Sequence, residues 1–175
     1  AVIGNPVDPL APEGEVSPQV REAAAQPYVL FIGRIIAEKN LVRLLDWHAA
    51  ANTETGRAIR LLAVGRGPLL EKLGPRENVL QLEAVTESEK TYLLRRCLAL
   101  ANPSRLESFS LVIMEAWRAG RPVIVHEKCD TTAGHVRRSG GGHLAGDAIT
   151  YARALDAVIN DPQEAARMGE AGRRY

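Results

Sequence analysis

The feature that most constrains this chain is an alternation. Short apolar runs ending in turn residues are separated by stretches with helical periodicity. Tyr28–Ile32 leads into Gly33, 59–64 into Gly65, and 97–101 into Asn102-Pro103-Ser104; Val79–Leu82 and 122–125 are two further runs. Runs without polar alternation suit strands covered on both faces. Between them, Leu41, Leu44, Leu45 and His48 share one helical face. Thr86 with Glu89 makes a capping box opening a helix over 90–96. Ser110 is placed to cap 111–119, which Gly120 stops. Asp147 is placed to cap Ala148–Asn160, with Ile149, Ala152, Leu155 and Ile159 inward, and Asp161-Pro162 with Glu164 opens a last helix to about Gly169. Strand and helix in alternation predict an α/β fold, a doubly wound parallel sheet of Rossmann-like type with right-handed crossovers. Ligands of such sheets bind beyond the carboxyl ends of the strands, which directs attention to Gly33, Gly65, the 103–107 loop and His126.

Pro6, Pro9, Pro12 and Pro18 interrupt the first stretch, so 1–26 reads as a linker with one short helix over 20–25, and 27–175 as the domain. A chain of 175 residues is one domain with room for a core. With 46% hydrophobic and 25% charged residues it is globular rather than disordered. Lys and Arg total 22 against 21 Asp and Glu, a net charge of +1, which argues against an electrostatic nucleic-acid binder. Cys97 and Cys129 cannot build a disulfide framework and point to a reducing compartment; Cys97 reads as core. No apolar run approaches the roughly 18 residues of a membrane span. Residues 1–12 carry three prolines and no basic stretch, unlike a signal peptide, and the chain begins mid-phrase, as part of a longer protein would.

The strand ends carry the chemistry. Gly33-Arg34 follows the first strand and Lys39 comes five residues later at a helix start, so two cations meet beside helix N–H donors. That suits a phosphate or diphosphate; the alternative is a pair of solvated cations. Gly65-Arg66-Gly67-Pro68 is half of a dinucleotide fingerprint, without the third glycine and the acidic residue, and reads equally as a strand-to-helix turn. After the fourth strand, Glu107 lies in a loop and Glu115 about one turn into the next helix. Free backbone N–H groups near Ser110 to Val112 complete a site with two carboxylates and an anion-binding helix end. Glutamates near helix starts also occur for dipole reasons alone.

Two glutamates with seven residues between them, after Pro103-Ser104 and before Ala119-Gly120-Arg121-Pro122-Val123-Ile124, resemble the E-x7-E motif of retaining GT-B glycosyltransferases of the family-four type. Gly33-Arg34 with Lys39 resembles that family's G-R…K-G signature, and Val64 to Pro68 its V-G-x-G-P turn. Asn5-Pro6-Val7-Asp8 resembles its N-G-V-D phrase, and Gly140-Gly141-Gly142 the glycine turn before a late strand. The resemblance covers nearly the whole chain.

The resemblance implies the C-terminal, donor-binding half of a GT-B fold, which moves sugar from a nucleotide-sugar (a UDP- or GDP-sugar) to an acceptor with retention. It implies no cofactor and no metal, Arg34 and Lys39 neutralising the departing diphosphate. Glu107 would contact the transferred sugar, and Ser108, Phe109, Ser110, Leu111 and Val112 would face sugar and phosphate, largely through backbone N–H groups. Glu115 would bind the ribose, and Gly33, Gly65 and Gly67 would let donor approach. The resemblance implies an N-terminal acceptor-binding domain beyond these residues, which are therefore expected to bind donor without turning over. A cytoplasmic location is implied, with peripheral membrane association of the full-length enzyme left open. Two departures stand out: Ser108-Phe109-Ser110 replaces a common Gly-Phe-Gly, and Asn40 replaces the glycine after the lysine, a residue that tolerates left-handed backbone. His126, Cys129, Asp130, His135 and His143 match no strong zinc spacing. His126 either lines the donor pocket or ends its strand. A non-catalytic doubly wound binding or regulatory module is the alternative, since fold alone cannot exclude it; a nucleotide-sugar epimerase fits the E-x7-E segment less well.

Overall fold

A computed structural model describes residues 9–12, 14–69 and 74–175. The Asn5-Pro6-Val7-Asp8 phrase lies outside the described residues. Six strands form one parallel sheet: β1 (Tyr28–Ile32), β2 (Arg60–Val64), β3 (Val79–Leu82), β4 (Ala99–Asn102), β5 (Val123–His126) and β6 (Gly142–Ala145). Their order is β3-β2-β1-β4-β5-β6. The chain starts in the middle, winds outward one way, returns and winds outward the other way, so a crevice opens where β1 meets β4. In register, Val29 lies opposite both Leu61 and Ala99.

Alternate strand residues feed two cores. Val29, Phe31, Leu61, Ala63 and Ile124 pack under α2 (Leu41–Thr55) and α6 (Ala148–Asn160). Tyr28, Leu30, Leu62, Leu100 and Val123 pack under α1 (Pro18–Ala23), α3 (Glu87–Arg96) and α4 (Leu111–Arg118). Leu30, Leu61, Leu62 and Leu100 are fully buried, each contributing about 1.5–3 kcal/mol. This double covering is why the central strands β1, β2, β4 and β5 read as apolar runs.

Several expected bounds move. Cys97 is not strand; it ends α3 and lies buried beneath it, where burial pushes its thiol up to about 12. A helix over Asp130–Ser139, α5, is absent from the sequence reading: Thr131, Thr132 and Gly134 are weak helix formers, and tertiary packing of Ala133, His135 and Val136 holds it. Ile149 is exposed rather than inward; α6 turns Tyr151, Ala152, Ala154, Leu155 and Val158 to the core. The last helix, α7 (Pro162–Arg174), runs past Gly169, because Gly169 and Gly172 are contact points rather than stops. A Cβ at Gly169 would strike the Gly120 backbone, and one at Gly172 the Trp117 ring. The segment read as a linker contributes Val16, Val20 and Ala23 to the second core. Its Ser17 N–H donates to Glu89 Oε1 at 3.0 Å while the Thr86 N–H donates to Oε2 at 2.9 Å. The capping box foreseen at Thr86 thus ties α1 to α3.

Candidate functional site

At the β1–β4 switch point a cleft of about 680 Å³ opens, walled by Ile32, Gly33 and Arg34 from the end of β1 and by Glu107 to Val112 from the loop after β4. Lys39, Lys90 and Glu115 complete it. The volume falls within the range of small-molecule sites.

Asn102, the last residue of β4, organises one wall. It is 5% exposed, and its amide satisfies three groups. Nδ2 donates to Ser110 Oγ at 2.8 Å and to Glu107 Oε1 at 3.3 Å, and Oδ1 accepts the Ser104 N–H at 3.1 Å. The Thr131 hydroxyl, from the start of α5, donates to the Glu107 carbonyl at 2.8 Å. Ser110 is therefore not the side-chain cap expected: its oxygen is turned to Asn102, and its backbone is left-handed at φ 68°. A glycine would take that conformation without strain, whereas here the Asn102 hydrogen bond holds a serine in it.

Lys39 sits at the end of a 3-10 turn, Ala37–Lys39. Asn40 follows at φ 56°, as its left-handed tolerance predicts, and its Nδ2 donates to the Pro103 carbonyl at 3.1 Å. Ser104 Oγ lies 3.1 Å from the Glu38 carbonyl. The turn after β1 is thus pinned to the loop after β4, and Lys39 Nζ meets Glu107 Oε1 at 2.6 Å. An ammonium has three N–H donors. Glu107 takes one, so two remain for phosphate oxygens. Arg34 is exposed at the same rim. The first-turn N–H groups of α4, at Leu111 and Val112, have no intrahelical partner and border the cleft.

Glu115, one turn into α4, is held by Lys90, which sequence reasoning missed. Lys90 Nζ donates to Glu115 Oε1 at 2.9 Å and also pairs with Glu87 at 2.7 Å. Burial opposes its charge, but the bonds and charges of Glu87 and Glu115 outweigh burial and hold the ammonium above its usual range. Lys90 lies 25 residues from Glu115 on another helix, so no local spacing reveals it.

Of the expected residues, Gly33, Arg34, Lys39, Glu107, Ser108, Phe109, Ser110, Leu111, Val112 and Glu115 meet in the cleft. Gly65 and Gly67 do not line it. They lie behind the β1 loop, where a Cβ at Gly65 would overlap the Gly33 carbonyl and one at Gly67 the Ile35 carbonyl. Their small size lets two loops touch. His126 also stays out of the cleft and lines a neighbouring recess. Phe109 packs edge-on against His135, with ring centroids 5.4 Å apart. Among the described residues, no three His, Cys, Asp or Glu side chains gather as a metal cluster would, and no helix is long and apolar enough to cross a membrane.

The family model described as "Glycosyl transferases group 1" matches residues 13–175. A D-inositol 3-phosphate glycosyltransferase of Nocardia farcinica is 33% identical over 168 residues, 84% of this chain and 36% of that protein. An alpha-D-kanosaminyltransferase of Streptomyces kanamyceticus is 27% identical over 163 residues, 83% of this chain and 39% of that protein. The chain therefore spans well under half the length of these relatives. The crystal structure of Anabaena Alr3699/HepE in complex with UDP-glucose superimposes with a TM-score of 0.72 at 22% identity, over 91% of this chain and 48% of that one. That likeness is one of fold.

Proposed function

The chain belongs to the group 1 glycosyl transferases, and on that premise we propose that it is the donor-binding domain of a retaining GT-B enzyme. Its whole-protein activity, on this reading, moves a sugar from a nucleoside diphosphate to an acceptor held by an amino-terminal domain, and this domain alone binds donor without turnover. One observation carries the reading. The switch-point cleft gathers three cations, Arg34, Lys39 and Lys90, an open helix amino terminus and two carboxylates, one held by Lys39 and one by Lys90. In the transfer, the bond from the sugar's anomeric carbon to the diphosphate oxygen breaks while that carbon bonds to an acceptor hydroxyl oxygen, whose proton passes to the departing diphosphate, and negative charge grows on that leaving group. Arg34, the two remaining N–H donors of Lys39 and the α4 N–H groups meet that charge, in place of a divalent cation. Glu107 faces the sugar hydroxyls, its geometry set by Lys39 and Asn102. Glu115 offers Oε2 to the ribose hydroxyls while Lys90 grips Oε1.

The test compares UDP with uridine, and GDP with guanosine, on the Arg34→Ala/Lys39→Ala double variant. Loss of charge-assisted bonds should weaken the diphosphate roughly tenfold or more and the nucleoside less than about twofold. Equal losses would remove the diphosphate role and favour a non-catalytic binding module.

A further inference from the structure

A second recess, of about 180 Å³, opens beyond the Lys39–Glu107 pair at the ends of β5 and β6, and shares no lining residue with the donor cleft. Arg43 reaches it from α2, Arg105 from the loop after β4 and Lys128 from the loop after β5. Among the described residues these three cations make no ion pair and no side-chain hydrogen bond. The nearby acids do not neutralise them: Asp46 is paired with Arg76 at 2.8 Å, and Glu127 adds one negative charge beside His126.

His126 lines the same recess and is 5% exposed. Its Nδ1 accepts the Lys128 backbone N–H at 3.1 Å. That bond places the proton of the neutral ring on Nε2. Among the described residues no protein group accepts from Nε2, which is open to the solvent of the recess. Burial, and then the Arg105 charge, hold the ring below its usual range. Trp47 fixes its plane, with centroids 5.8 Å apart. A donor oriented toward the recess, with three cations against the single Glu127 carboxylate that packs beside Gly146, is complementary to a compact anion.

We propose that this recess binds a phosphate group, at a site separate from the donor diphosphate. Its volume lies below the 300–1,000 Å³ or so of pockets that enclose whole small molecules, so one anionic group fits inside and any ester substituent projects outward. The His126 Nε2–H supplies the directed bond, and Arg43, Arg105 and Lys128 supply the charge. Free phosphate and a phosphomonoester present the same group. The site stands without the donor reading, because no residue is shared.

The test follows the His126 ring by NMR in the 175-residue chain, at constant ionic strength, with inorganic phosphate, methyl phosphate and chloride; a His126→Asn variant assigns the signal. UDP is titrated in parallel and read at the Leu111 and Val112 amides. Saturable shifts of His126 with phosphate and not chloride are expected, weakened roughly tenfold or more in Arg105→Gln/Lys128→Gln. Methyl phosphate binding as well as phosphate would identify an ester-accepting site; phosphate alone would identify a free-anion site. An immobile His126 signal at millimolar phosphate, or shifts equal to those of chloride, overturns the proposal. Either result leaves the UDP titration, and so the donor reading, to be judged by its own signals.

Discussion

Glu107 and Glu115 are the same residue type eight positions apart, yet their surroundings differ. Glu107 is fastened at one oxygen by Lys39 and Asn102, in a side chain only 9% exposed. Glu115 is fastened by Lys90 and is 22% exposed. On the proposed reading, Glu115→Ala weakens bare UDP by roughly tenfold, the worth of one or two charge-assisted bonds. Glu107→Ala leaves bare UDP nearly unchanged and weakens the UDP-sugar. Calorimetry with both ligands on both variants checks this; parallel losses would remove the division of roles. At this scale the sequence was legible wherever a residue's backbone geometry or charge had a local reason. Asn40 could be read as left-handed from its type. The hub Asn102 could not be assigned its role, because its partners Ser104, Glu107 and Ser110 converge only once β4 ends and the loop folds back. Lys90 was hidden for the same reason at greater distance.

At the level of elements, α7 shows why breakers mislead. Gly169 and Gly172 lie three residues apart on one helical face, where the backbone of Gly120 and the ring of Trp117 press against them. Alanine would favour an isolated helix by about 1 kcal/mol at each glycine, but here it overpacks the α4–α7 contact, at a cost of about 1–3 kcal/mol. Gly169→Ala is therefore expected to destabilise the chain despite the propensity gain, as measured by urea unfolding. A stabilised variant would mean that α7 packs differently. The central strands β1, β2, β4 and β5, by contrast, were readable because burial on both faces leaves an apolar run, whereas the half-buried β6 gave none. α5 was not readable either, since its threonines and glycine argue locally against the helix that packing enforces.

Across the whole molecule, all four histidines are held below their usual range, with burial the leading cause each time. His48 is the most enclosed, with Nε2 donating to the Ile59 carbonyl and Nδ1 accepting from Tyr151 Oη, each at 2.8 Å. Its folded form resists the proton that the unfolded chain takes up near pH 6.5. The unfolded state then binds more protons, so stability is full above about pH 6.5 and falls as pH drops below it. His48→Gln should flatten part of that slope between about pH 6.5 and pH 5; an unaltered slope would contradict the assignment. Glu89 acts later: the Ser17 and then the Thr86 hydrogen bonds lower its carboxyl to about 2, so its contribution is present above its ordinary value of 4.5 and disappears as pH falls through about 2. That bond also joins the first helix to the body of the domain, which proline spacing in the opening stretch gave no reason to expect.

The central claim is that a nucleoside diphosphate occupies the β1–β4 cleft. Titrating the chain with UDP, GDP and ADP while following backbone amides by NMR tests it most directly. Saturable shifts at Gly33, Arg34, Lys39 and Leu111 to Glu115, with one nucleotide preferred, are the predicted result and identify the base. No saturable shift at those residues with any of the three at millimolar concentration, or shifts confined to other surfaces, would contradict it.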